Sequence, residues 1–121
     1  MPNYIPDGYT EKVHVPKTEW YNAVQIEYRP ALPEERAVLF RRIEILRSAG
    51  QENDIKAAEK LCEEAIKSHL TWWNLTHDGD VLPISLEVIH RLEPHFQRDI
   101  FDIVMVLAKG EEIKQENKEK N

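Results

Sequence analysis

The chain has 121 residues, a mass of 14.2 kDa and a single cysteine, which fits one compact domain and leaves no room for a second independently folded unit. Sixteen Lys and Arg against twenty-two Asp and Glu give a net charge of −6. That sign argues against a nucleic-acid partner, because duplex affinity comes largely from neutralising phosphates. Three Trp, three Phe and four Tyr supply enough bulky apolar area to exclude global disorder, even with 31% charged residues.

The opening stretch from Met1 to Tyr9 has neither a basic n-region nor an apolar h-region, and no run approaches the roughly twenty apolar residues of a bilayer span. Cys62 has no second cysteine to pair with. These features predict a cytoplasmic protein with no membrane partner.

From Tyr9 to Tyr28 the pattern has period two. Tyr9, Glu11, Val13 and Val15 share one side of a strand, and Val24, Ile26 and Tyr28 share one side of a second, with Lys12, His14, Gln25 and Glu27 opposite. The stretch between them opens with Pro16 and carries Trp20 and Tyr21, so it reads as a long hairpin connection whose aromatics reach the edge of the core. An isolated hairpin is marginal in water and needs helices to lean on.

Pro30 ends the second strand, and Pro33, followed by Glu34 and Glu35, suits the first turn of a helix that runs to about Ala49 and stops at Gly50. Its inner stripe is Val38, Leu39, Ile43 and Leu46, widened by Phe40 and Ile45, which predicts packing between two neighbours. A second helix starts at the N-cap candidates Asn53 or Asp54 and reaches about Leu70. It turns Ile55, Ala58, Cys62, Ala65, Ile66 and His69 inward. Glu63 and Glu64 lie on a solvated face, four residues from the opposite charges Lys67 and Lys60.

Around Asp78-Gly79 the stretch 72–83 reads as a small hairpin or looped turn. Ser85 caps a third helix, and Pro94 imposes a kink or a fresh start near Glu93 before the apolar run continues to Ala108, with Gly110 as its stop. Residues 111–121 read as a polar tail or frayed helix end. The fold class is therefore α+β. An N-terminal β-hairpin (about 9–28) packs on a small bundle of three to four helices (about 33–49, 54–70 and 86–109), in one domain over 1–110.

No local pattern carries chemistry. Cys62 and His69 share a helical face but stand roughly 10 Å apart along the axis, too far for a nucleophile and its base. His77, Asp78 and Asp80 lack the distal ligands of a calcium loop, so a polar turn is the reading there. His90 and His95 miss the i,i+4 spacing of a zinc-hydrolase helix. The arginines Arg36, Arg41, Arg42 and Arg47 are nearly cancelled by Glu34, Glu35 and Glu44 and have no Gly-rich phosphate cradle. Asp102 is read as a surface acid paired with Arg98. Trp72 and Trp73 cannot share a face; one belongs to the core and the other is open to a partner. The expectation is a non-enzymatic protein with no catalytic residue, no cofactor and no metal.

Two segments together carry a resemblance. The strand-to-helix passage from Val24 through Tyr28-Arg29-Pro30 to Arg36, followed by Trp73 to Ser85 and the helix at Leu92-Glu93-Pro94-His95-Phe96, is similar to the small tail assembly chaperones of long-tailed phages and prophages. The likeness spans about residues 22–108; the Tyr9 to Trp20 segment has no place in the family pattern. It implies a protein of the host cytoplasm that binds the helical tape-measure protein before the tail tube polymerises and that helps recruit tail-tube subunits. Many genes of the family also make a longer, frameshifted product. Such work needs apolar grooves for amphipathic helices, with Phe40, Trp72, Phe101 and Met105 as candidate protein-binding contacts and self-association open. The alternatives are a virion structural or head-to-tail connector component and a small cytoplasmic adaptor.

Overall fold

The structure, a computed structural model, describes residues 1–107, Gly110 and 112–114. Strands β1 (Glu11–Val15) and β2 (Val24–Tyr28) pair antiparallel, with Val13 opposite Ile26 and Val15 opposite Val24. Their alternation sends Val13, Val15, Val24, Ile26 and Tyr28 into the core and leaves Lys12, His14 and Gln25 in water. The α+β class and the expected hairpin are therefore present.

The sheet has a third strand that period-two reading missed. β3 (Leu70–Trp73) pairs with the other edge of β2, giving the order β1-β2-β3. Leu70 and Trp73 are both buried yet three residues apart, a spacing that belongs to a helix face and not to a regular strand. A register shift at Glu27/Tyr28 resolves the conflict: Trp73 stands opposite Ile26, Trp72 opposite Glu27, and Leu70 opposite Tyr28, with Thr71 as the extra residue.

Helix α1 (Pro33–Ala49) has the expected bounds. Pro33 sits at its first position, Glu35 reaches back to accept the Leu32 N–H at 3.0 Å, and Gly50 closes it at φ 73°. Its buried face is much narrower than the apolar stripe. Ile43 alone among its residues is buried, while Val38, expected inside, is 62% exposed. α1 packs chiefly on helix α2 (Glu52–His69) and, among the described residues, meets the end of the chain through the Phe40–Phe101 pair and Arg36.

α2 begins at Glu52 after an extended Gln51, earlier than Asn53 or Asp54 would place it. Glu63, assigned to the solvated face, is buried, and its carboxylate oxygens accept from His90 Nδ1 at 3.1 Å. Ile55, assigned inward, is 44% exposed. Beyond β3, the two-residue strands β4 (Thr76–His77) and β5 (Asp80–Val81) form the small hairpin expected around Asp78 and Gly79, both with positive φ. Trp73 Nε1 donates to the Leu82 carbonyl at 2.7 Å and fixes this hairpin to the core.

The last stretch is two helices. Ser85 caps α3 (Leu86–His90) through the Val88 N–H, and Pro94 forces a fresh start of α4 (Pro94–Val104), whose N-cap Glu93 accepts from the Phe96 N–H at 2.9 Å. α4 stops four residues before the expected Ala108. Leu107 N–H bonds Asp102 O, Val106 N–H bonds Ile103 O, and Val106 takes the left-handed conformation (φ 56°) in which glycine is usual. Gly110 is therefore not the stop. It lies so close to α4 that a Cβ there would come within 2.7 Å of Asp102 O and Ile103 Cα.

The tail expected over 111–121 falls mostly outside the described residues. Within it, 112–114 is helical, Ile113 packs against the core and Lys114 is buried, with Nζ 3.6 Å from a Glu11 carboxylate oxygen and 4.7 Å from the Tyr28 ring centre. Among the described residues no helix is long and apolar enough to cross a membrane.

Candidate functional site

The four candidate contacts do not gather on one surface. Phe40 and Phe101 are half-buried and meet edge-on, centroids 6.1 Å apart, between α1 and α4. Trp72 stands 44% exposed on the outer face of the sheet, in one row with Glu27 and Lys12, whose ammonium lies 5.9 Å from the indole centre. Met105 is buried to 1% exposure, so as a projecting contact it is unavailable.

Met105 instead forms the floor of a larger feature. α1 and α2 diverge around a trough of about 540 Å³ whose apolar lining is Val38, Leu39, Leu61, Ala65 and Met105. Its origin is local: α2 follows Gly50 back along α1, but the only buried side chain of α1, Ile43, lies beyond the middle of that helix, so its first half stays open toward Leu61 and Ala65. Of that lining Val38 is exposed, Leu39 and Leu61 are half-buried, and Ala65 and Met105 are buried.

A polar clasp holds the open end. Arg29 Nη1 and Nη2 donate to the two oxygens of Glu35 at 3.0 and 3.1 Å. Arg29 and His69 bond each other's backbone carbonyls, Arg29 N–H to His69 O at 2.7 Å and His69 Nδ1 to Arg29 O at 2.8 Å. A carbonyl only accepts, so the His69 proton is on Nδ1, and Nε2 faces Glu35 at 3.7 Å. The Arg29 hydrogen bond, aided by the Leu32 N–H, holds the Glu35 carboxyl below its ordinary range, and burial pushes the His69 imidazole down toward its neutral form. Arg36 ties α1 to the end of α4 by donating to Ala31 O at 3.2 Å and Met105 O at 3.5 Å. The trough therefore has a fixed wall and a fixed floor.

Further cavities lie elsewhere among the described residues. One of about 320 Å³ contains Cys62, Arg47, Arg98 and Phe101, and burial raises the Cys62 thiol away from thiolate character. Cys62 and His69 thus line different cavities. Near the N-terminus of α4, His95 donates to Glu93 at 2.7 Å and stacks on Trp20 with centroids 4.0 Å apart, pinning the β1–β2 connection. Tyr21 donates to the buried Asp99 at 2.6 Å, and burial followed by that hydrogen bond pushes its phenol upward. Asp99, rather than Asp102, is the buried acid of α4; it lies on the face of Phe96 and Ile103, a position the 3.6-residue period already marks. Sequence reasoning also missed the clasp, although Glu35 three residues after Leu32 holds the place of a capping glutamate. Among the described residues no group of three His, Cys, Asp or Glu is placed to hold a metal ion.

Comparison with protein-family models, with curated proteins and with solved structures finds no match to this chain.

Proposed function

We propose that this protein is a non-enzymatic tail assembly chaperone of a long-tailed phage or prophage, working in the host cytoplasm by holding helical segments of the tape-measure protein and presenting them to tail-tube subunits. The sequence resemblance over 22–108 suggests the family, and the observation that carries the reading is the trough between α1 and α2. Val38 stands 62% exposed on its rim above Leu39, Leu61 and Ala65, and an amphipathic helix laid there would bury that face as a missing third helix does. The contact surface is thus the trough with Met105 beneath it, rather than the four dispersed residues taken together.

Co-expression with the central helical segments of the tape-measure protein encoded beside it tests this. The proposed function expects a complex that survives purification and that Val38→Glu weakens, and mature particles lacking the protein by mass spectrometry. Persistence in finished virions would favour a structural component, and absence of any complex would remove the chaperone reading.

A further inference from the structure

The trough is not evenly charged. Glu34 stands on the α1 rim at the open end and Glu64 on the α2 rim, both exposed and neither in an ion pair among the described residues. Glu35, the third carboxylate, is already matched by Arg29. Toward the inter-helix turn the lining ends in Arg42, eight residues and about 12 Å along α1 from Glu34. An apolar floor with an unmatched carboxylate on each rim and a single guanidinium gives the trough a net acidic edge as well as a shape.

We propose that the occupant of the α1–α2 trough is a cationic amphipathic helix, whose apolar stripe covers Val38, Leu61 and Ala65 and whose Lys or Arg side chains meet Glu34 and Glu64. The inference rests on the trough being a docking surface and adds the chemistry that selects among helices. Carboxylates on both rims repel an acidic helix of equal hydrophobicity, so discrimination comes from repulsion as much as attraction. The rim charges are exposed, so the preference weakens as salt screens them.

The probes are two synthetic helical peptides of about 20 residues with the same Leu/Ala stripe, one flanked by Lys and the other by Glu, titrated at low salt by fluorescence anisotropy. The Lys-flanked peptide is expected to bind about tenfold more tightly, with the order reversed in the Glu34→Lys, Glu64→Lys double variant and both peptides weakened by Val38→Glu. These positions are exposed, so circular dichroism should report an unchanged fold. Equal affinities, a Lys preference that survives the double variant, or binding indifferent to Val38→Glu would each overturn the inference. Failure here with the tape-measure complex intact removes only the charge rule. Peptide selectivity without that complex removes only the role in tail assembly.

Discussion

Helices α1 and α4 both carry apolar residues, but α4 gathers them on one face whereas α1 spreads them around its circumference. α4 buries Phe96, Asp99, Ile100, Ile103 and Val104 within 11 residues, whereas the 17 residues of α1 bury Ile43 and hold their first turn mainly through the Arg29–Glu35 clasp. The difference lies in what each helix faces. α4 belongs to the same buried cluster as Val13, Val15 and Ile26 of the sheet and Ile66 of α2, while α1 packs chiefly on α2 and brings Leu39 and Phe40 only to the edge of that cluster. Stability thus concentrates in the sheet and α4, while α1 leaves Val38 and Ile45 exposed.

That contrast has measurable consequences. The largest is at Ile100, fully buried in α4: Ile100→Ala should cost about 3 kcal/mol in urea unfolding, whereas Val38→Ala on α1 should cost less than about 0.5 kcal/mol. Comparable losses would mean that α1 is as deeply integrated as α4. Next is Gly110, where an added methyl meets the backbone of Asp102 and Ile103, atoms that cannot swing aside. Gly110→Ala should destabilise by about 1–3 kcal/mol, and a neutral result would separate the C-terminal segment from α4.

The clasp predicts the pH response. His69 is held toward its neutral form in the folded protein, so the unfolded chain binds more protons below about pH 6.5 and stability falls as pH drops through that value. Glu35 is held ionised, so its contribution is present above about pH 4.3 and is lost in more acidic solution. Urea midpoints measured against pH should therefore decline in two stages, with His69→Gln flattening the upper stage alone. The smallest expected effect is a gain. Val106 occupies a left-handed position without being glycine, and Val106→Gly should stabilise by about 1 kcal/mol; a loss would show that its side-chain packing outweighs the backbone cost.

Much of this was legible in the sequence where one periodicity ruled. The inward faces of β1 and β2 followed from alternation, and α1 was bounded by Pro33 and Gly50, residues whose conformational limits act locally. The misses came where tertiary context overrode the pattern. Leu70 and Trp73 have helical spacing but enter a sheet through a bulge, Glu63 is buried where it meets the exposed His90, and the apolar run past Val104 invited a longer helix than the capping bonds allow. Of the trough, the sequence showed an apolar stripe on α1 too wide for one partner. It could not show that the excess width stays uncovered, because that depends on where α4 and the sheet end.

The central claim is that the uncovered face of α1 and α2 receives a helix. Amide chemical-shift mapping of the isotope-labelled protein, titrated with a tape-measure helical segment, tests it most directly. Perturbations should cluster at Val38, Leu39, Leu61 and Ala65, with Met105 responding beneath them. Shifts centred on Trp72 and the outer face of the sheet, with α1 unmoved, would contradict the account.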